Sequence, residues 1–380
     1  MRVIHTSDWH IGKFLCEYPL LEDQRKCLFS FADQIESLGA DVLLIAGDLY
    51  DRSIPSAEAV SMLDDLFSYL LFEKHMKILA ISGNHDSAKR LSFGSRLMQS
   101  AGLFLKTALD GAQMPVILSA KGEKVAFFLL PYFEPHQFRE SFDASDCRTA
   151  QSCMDHFLKL CDDHIQQDCP NLLVAHGFFS AHEEDADLTV AASSLTALHD
   201  HPFSYVALGH LHGARAAGNE RIRYSGSPLK YSIDESNQKK SFTVIDIKNN
   251  QIADIFEVPI HAPRDVRKIS GSLDVLCMPE HASDDYVFAV LTDPQIRVNA
   301  IRRLKQVYPY ALGLSYDCLQ STQPISLQSA DRDAQHEPIA LFGRFFEEAE
   351  RRKMTASEQA YTEAMFRKVK GDAHDDSRFS

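Results

Sequence analysis

Over roughly the first 260 residues, short apolar runs alternate with stretches of helical periodicity. Val3–His5, Val42–Ala46, Ile78–Ile81, Val125–Leu130, Leu172–Ala175, Tyr205–Leu208 and Phe242–Ile247 read as strands. Helices are expected near 22–38, 56–72 and 87–100, with Ser56 after Pro55 placed to cap the second. Strand–helix alternation of this kind predicts an α/β layered fold. Polar residues cluster just after the strand runs, at the carboxyl ends where open α/β sheets place their sites.

From about residue 264 the pattern restarts. Val266–Ile269, Tyr286–Leu291, a helical Val298–Val307 and Ala311–Tyr316 form a small αβ unit. The polar stretch Gln320–Pro338, rich in Ser, Gln and Asp, reads as a linker. Ile339, Phe342, Phe345, Phe346 and Ala349 then stripe one helical segment, and Thr355-Ala-Ser-Glu358 opens another with a capping-box pattern. The expected organisation is a body over 1–262, the αβ unit over 263–318, a linker over 319–338 and a helical tail over 339–380.

The 56–72 helix carries two apolar stripes. Val60, Leu63, Phe67 and Leu71 form one; Ala59, Met62, Leu66 and Tyr69 form the other. So wide an apolar arc exceeds what packing on one sheet needs. Two readings fit: a helix buried on two sides, or a helix shared with a second copy of the chain, joined by 87–100.

Apolar residues make up 45% of the 380, ample for a large core. The net charge of −14 disfavours broad electrostatic adhesion to DNA, which needs clustered Lys and Arg. It does not exclude a site that acts on phosphate, because bound metal ions or a partner can supply positive charge. The eight cysteines include no CxxC pair, so a thiolate zinc site is not expected. No run is apolar enough to span a membrane, and the N-terminus lacks the apolar region of a signal peptide, so a cytoplasmic protein is expected.

Five short motifs follow strand-like runs in order: Asp8-Trp9-His10, Gly47-Asp48, Gly83-Asn84-His85-Asp86, His176-Gly177 and Gly209-His210-Leu211-His212. Each alone is weak; five in order at strand ends are hard to reach by chance. Two divalent ions about 3.5–4 Å apart can hold the attacking and leaving oxygens of an in-line displacement at phosphorus. That requires roughly seven ligands, one of them bridging. Asp8, His10, Asp48, Asn84, His176, His210 and His212 supply them. Asp48 is the natural bridge, since a carboxylate has two oxygens and Gly47 allows close backbone approach. The D-x-H spacing places Asp8 and His10 on one face of an extended segment. Mixed carboxylate, amide and imidazole donors suit Mn²⁺, with Mg²⁺, Fe²⁺ and Zn²⁺ as alternatives. Asp86 reads as a turn cap or as an acid behind the ligands, and His5 as a packed core residue.

Together these motifs resemble the calcineurin-like metallophosphoesterase superfamily. Within it, Ser7-Asp8-Trp9-His10-Ile11-Gly12, Gly47-Asp48-Leu49-Tyr50-Asp51-Arg52 and Tyr224-Ser225-Gly226-Ser227-Pro228 are similar to the SbcD family of bacterial nuclease subunits. Arg264-Asp-Val-Arg267, Asp284-Asp-Tyr-Val287 and Leu291-Thr-Asp293 resemble that family's capping domain, so the likeness covers about 1–317. The resemblance implies a two-layered β-sheet sandwich flanked by helices, with a small αβ cap and a helical tail. It implies one ion on Asp8, His10, Asp48 and His212, and another on Asp48, Asn84, His176 and His210. His85 then faces the substrate as a catalytic group, and Asp51 resembles the carboxylate that orients it. The archaeal branch has a histidine at that position, so this chain departs from it. The family also implies a homodimer, DNA as substrate, and an ATPase partner of the SbcC type docked through the tail.

The implied activity is double-strand exonuclease and single-strand or hairpin endonuclease action in DNA end processing, repair and recombination. The same metals and ligands serve a protein phosphatase or a small-molecule phosphodiesterase. The extra αβ unit and helical tail favour the nuclease.

Overall fold

The computed structural model describes residues 1–180, 196–198, 201–317, 342–343, 346–347 and 352–372. Two six-stranded sheets form its body. In chain order their strands are β1 (Arg2–Thr6), β2 (Val42–Ala46), β3 (Lys77–Ile81), β4 (Leu103–Lys106), β5 (Val116–Ala120), β6 (Glu123–Leu130), β7 (Asn171–His176), β8 (Tyr205–Gly209), β9 (Arg215–Ala216), β10 (Ile222–Tyr224), β11 (Ser241–Lys248) and β12 (Gln251–Pro259). The first sheet runs β12-β11-β1-β2-β3-β4 and the second β9-β10-β8-β7-β6-β5. Each has a parallel centre: β1 to β4 in one, β6, β7, β8 and β10 in the other. Their carboxyl ends therefore emerge together, carrying the motifs with them.

Every strand run read from the sequence lies in one of these strands. The apolar runs are continuous because both faces are covered. In β2, Val42, Leu44 and Ala46 join Leu79, Phe127, Leu172 and Val174 between the sheets. Leu43 and Ile45 face the other way, into a cluster with Phe31, Met62 and Leu66. These come from helices α1 (Leu21–Ser37) and α2 (Ala57–Ser68). The second sheet packs Ala126, Phe128, Leu173 and Val206 on Phe138, Met154 and Phe157. Those three lie on α3 (Pro135–Phe142) and α4 (Ala150–Asp162). Each fully buried Leu or Phe contributes about 1.5–3 kcal/mol over an exposed one. His5 is a core residue as expected: Nδ1 meets the Tyr205 hydroxyl at 3.0 Å and Nε2 the Leu208 carbonyl at 3.1 Å.

Ser56 caps α2, accepting the Ala59 N–H at 3.2 Å. Ala59, Met62 and Leu66 are buried among core residues, so the second apolar stripe is accounted for within the chain. Val60 stays exposed, and with Leu63 and Phe67 it lines a groove of about 420 Å³. The helix expected over 87–100 is broken. Gly94, with φ +72°, separates Ala88–Leu91 from Ser95–Met98. The break leaves Phe93 87% and Leu97 80% exposed.

The αβ unit holds β13 (Val266–Gly271), β14 (Tyr286–Leu291) and β15 (Ala311–Tyr316) in one sheet, with α5 (Ala300–Val307). By contacts the chain separates into a larger unit, Met1–Ser270 with Asp274–Ala289 and Asn299–Leu314, and a smaller one. The smaller comprises Gly271–Leu273, Val290–Val298 and the residues from Ser315 onward. In the latter, α6 (Ala356–Asp372) starts at the expected capping box: the Thr355 N–H reaches Glu358 Oε2 at 2.8 Å, and the Glu358 N–H reaches Thr355 Oγ1 at 3.3 Å. The Phe342 and Phe366 rings meet at 6.1 Å between centroids, while Tyr361 and Met365 are exposed. Ile339, Phe345, Ala349, Cys318 and the 319–338 linker lie outside the described residues. Among the described residues no helix is long and apolar enough to cross a membrane. The described cysteines are free thiols, and Cys27, Cys147, Cys153, Cys161 and Cys169 are buried.

Candidate metal centre

The motif loops after β1 and β2 run side by side. The Asp8 N–H meets the Gly47 carbonyl at 3.1 Å, His10 N–H the Asp48 carbonyl at 2.9 Å, and Ile11 N–H the Leu49 carbonyl at 2.9 Å. Asp8 and His10 are not on an extended segment as the D-x-H spacing suggested. Their φ values are +53° and +45°, and Asp48 sits at +52°. Left-handed backbone at a non-glycine costs about 1–2 kcal/mol per residue. The paired loops hold it there, which turns all three side chains inward. Gly47 has φ +88°, and any Cβ on it would overlap the His176 ring. The second sheet contributes its share through register: His176 and Gly209 pair at the ends of β7 and β8, bringing His210 alongside.

All seven sequence-predicted ligands converge. His10 Nε2 and His212 Nε2 are 3.1 Å apart, and Asp8, His10 and His212 offer donors within 4.8 Å of one another. Asp8, Asp48 and His176 do the same. Asp48 Oδ2 stands 3.5 Å from His10 Nε2 and 3.4 Å from His176 Nε2, so it reaches both groups. Asn84 Oδ1 lies 2.9 Å from His176 Nε2 and 3.1 Å from His210 Nδ1. So many lone pairs aimed at one another, mostly buried, is the donor chemistry of a cation site.

The electrostatics differ from donor to donor. Burial opposes charge on Asp48, but His176, His10 and the His85 N–H hold its carboxyl below the ordinary range. Burial likewise works against a charged His176, yet Asp48 and Asp8 raise its pKa to about 9. Burial lowers His10 to about 2 and His210 to about 4, leaving neutral imidazoles ready to ligate.

Residues 1–214 match the model of the calcineurin-like phosphoesterase family, and residues 262–350 that of the type 5 capsule protein repressor C-terminal domain. The chain is 34% identical over 322 residues to the SbcD component of the SbcCD nuclease of Staphylococcus epidermidis, covering 83% of this chain and 85% of the relative. The chain belongs to the SbcD family of calcineurin-like phosphoesterases. Among solved structures it is similar to TT1561 of Thermus thermophilus, with TM-score 0.39 and 13% identity over 67% of this chain and 98% of the other. It is also similar to the Thermus thermophilus sulfate thiohydrolase SoxB in complex with glycerol, with TM-score 0.37 and 10% identity over 69% and 57%. Neither likeness is close enough to bear on the chemistry.

Membership of the SbcD family implies divalent metals, and this donor set fits them. Beyond the motifs, other residues hold the loops. Asp86 accepts the N–H groups of Leu49, Tyr50 and Gly83 at 3.1, 3.0 and 2.9 Å, the bond to Gly83 being that of a turn cap. It ties the Gly47-Asp48 loop to the Gly83–Asp86 loop, and burial raises its pKa to about 6 against those bonds. Gln24 donates to the Trp9 and His10 carbonyls at 3.1 and 2.8 Å and accepts the Gly12 N–H at 2.9 Å. Next to it, Asp23 takes the Arg264 guanidinium at 2.5 Å and the Tyr286 hydroxyl at 2.8 Å. Glu235 accepts from His212 Nδ1 at 2.9 Å and pairs with the buried Lys240 at 2.6 Å. Burial opposes its charge, but His212 and Lys240 lower its pKa to about 2.

His85 stands outside the donor clusters around Asn84, with its ring accessible. Its main-chain N–H meets Asp48 Oδ1 at 2.9 Å, and Nδ1 meets the Asp51 main-chain carbonyl at 2.9 Å. The Asp51 contact thus runs through the carbonyl, not the carboxylate that the resemblance suggested. The Asp51 carboxylate pairs with Lys13 at 2.6 Å and lies 3.6 Å from His10 Nδ1. Asp51, His10 and His85 could together hold a cation, but the Lys13 ammonium already serves that carboxylate.

Proposed function

We propose that the chain is a two-metal DNA nuclease, cutting duplex ends exonucleolytically and single strands or hairpins endonucleolytically, in end processing, repair and recombination. The observation that carries this is the gathering of seven donor side chains, with the Asp48 carboxylate reaching His10 in one group and His176 in the other, and with the His85 ring beside them. One ion would be held by Asp8, His10, Asp48 and His212, and the other by Asp48, Asn84, His176 and His210. Mixed oxygen and imidazole donors without thiolate favour Mn²⁺, with Mg²⁺ as the alternative. Bound there, the ions supply charge stabilisation and an activated water for in-line displacement at phosphorus. His85 holds one proton on Nδ1 against the Asp51 carbonyl; carrying a second on Nε2, it would give that one to the departing oxygen and return to the neutral imidazole. The C-terminal match over 262–350 favours a nuclease over a protein phosphatase or small-molecule phosphodiesterase, neither of which needs those residues. The test is cleavage of end-labelled duplex and hairpin DNA with Mn²⁺, beside a phosphodiester dye ester. Dye hydrolysis without DNA cleavage would favour the rival.

The exposed apolar surface supports a homodimer. Val60, Phe93 and Met98 line the groove beside α2, and Leu97 is exposed next to it. A two-fold contact here would present two centres to the two strands of a DNA end. Because Leu66 is fully buried, a charge there would disrupt the fold, not the dimer. Phe93→Asp with Leu97→Asp should instead give monomers by light scattering while the melting temperature holds. A variant that stays dimeric places the interface elsewhere.

The tail supports a partner of the SbcC ATPase type, in a cytoplasmic complex. Tyr361 and Met365 are spaced i, i+4 on α6 and exposed, the anchor pattern of a helix laid in a groove. The partner also supplies the basic DNA track that a chain of net charge −14 lacks. Truncation after Gln335 should abolish co-purification with the ATPase; retained full affinity would exclude the tail as the docking element.

A further inference from the structure

The two metal positions differ in what stands behind their ligands. At the first, the His212 Nδ1–H donates to a carboxylate, Glu235, at 2.9 Å. The buried Lys240 fixes that carboxylate at 2.6 Å, and the Tyr231 N–H adds a third bond to it at 3.2 Å. The other imidazole there, His10, has a buried Nδ1 with no hydrogen-bond partner, and Asp51 Oδ1 stands 3.6 Å away. At the second position His176 Nδ1 donates to a neutral acceptor, the Ala46 carbonyl, at 2.8 Å. The donor sets differ in the same direction. In the proposed ligand sets the first position has the Asp8 carboxylate where the second has the Asn84 amide oxygen, and Asp8 also lies within 4.8 Å of Asp48 and His176.

Resting on the two-metal reading above, we propose that Glu235 makes the Asp8–His10–His212 position the tighter one, so that the ions load in a fixed order. A carboxylate behind an imidazole fixes its tautomer and raises its basicity; losing such a partner costs roughly 10–100-fold in metal affinity. Lys240 and Lys13 neutralise much of the long-range charge of Glu235 and Asp51. The preference therefore comes from the hydrogen bond to the imidazole and from Asp8 against Asn84, not from bulk negative potential. The first position is filled at rest, and occupancy of the second sets activity at limiting metal. Glu235 acts through His212 and is a positioning residue.

The experiment is calorimetric titration of Mn²⁺ into the full-length, chelator-treated chain, with free Mn²⁺ counted by electron paramagnetic resonance. Two steps are expected, separated by roughly tenfold or more. Glu235→Ala should weaken the tight step by roughly 10–100-fold and leave the weak step nearly unchanged. Glu235→Gln, which still offers an oxygen to His212 Nδ1, should recover part of the loss. Asn84→Asp should tighten the weak step and bring the two together, and it tests the order even if Glu235→Ala fails to fold. Two indistinguishable steps in the unmodified chain, or a Glu235→Ala effect equal on both, would overturn the inference and leave the two-metal reading standing. Binding of no Mn²⁺ at all would remove that reading itself.

Discussion

His85→Ala should retain both Mn²⁺ ions and lose DNA cleavage by roughly 10²–10⁴-fold, the usual contribution of a positioned acid or base. The expectation follows from how His85 is attached. Its contact with Asp48 is a main-chain N–H bond of 2.9 Å, which alanine keeps. The ring's own bond runs to the Asp51 carbonyl and to no ligand. Removing the imidazole therefore takes away proton transfer and leaves the donor array intact. Single-turnover cleavage of labelled duplex, with Mn²⁺ titration of the same sample, separates the two effects. A variant that cuts at the unmodified rate ends the catalytic assignment. One that loses an ion moves His85 into the ligand set. Asp51→Asn adds a second check, since its main-chain carbonyl survives the change: any effect on cleavage would then pass through Lys13 or His10.

The motif residues were legible because each follows a strand whose apolar run is unmistakable, and a parallel sheet delivers the next residues to one edge. What stands behind them was not. Glu235 lies in a short turn, Ile233–Asn237, with no spacing relation to His212; only the chain's return path places it there. Gln24 reads as a polar position on an amphipathic helix, yet it faces the Trp9–Gly12 loop. The backbone of Asp8 and His10 was misread because alternation arguments assume extended φ, and strand β1 ends at Thr6 before the motif begins. The 87–100 helix was overextended because its apolar periodicity continues through Gly94, where the chain turns left-handed. The edge strands β4, β5 and β12 are not legible as apolar runs because they are short or broken by polar residues, and most of their positions are half-buried or exposed.

The same loops are tied to the αβ unit through α1. Arg264 and Tyr286 converge on the buried Asp23 of α1, and the next residue, Gln24, holds the Trp9 and His10 carbonyls. A single helical turn thus links the start of the αβ unit to a loop whose left-handed geometry depends on its hydrogen bonds.

Asp48→Asn should abolish Mn²⁺ binding at both positions and bring DNA cleavage to the limit of detection, a larger effect than any change at one position. Asparagine is the informative choice. It tolerates the left-handed φ of +52°, where alanine would add strain. Its side-chain oxygen can still accept the His85 N–H, so the metal-free fold should persist. Only the charge and one ligating oxygen are lost, and Asp48 is the group that stands within 3.5 Å of His10 and 3.4 Å of His176 at once. Thermal melting distinguishes loss of ligation from loss of fold. In chelator the two proteins should melt within a few degrees of each other. In Mn²⁺ at about a hundredfold excess over its dissociation constant, each bound ion stabilises the unmodified chain by about 2.7 kcal/mol. The variant should gain none of this. A variant that still shows a Mn²⁺-dependent rise would mean that one position closes without Asp48, and the carboxylate would then be a ligand of the other position alone.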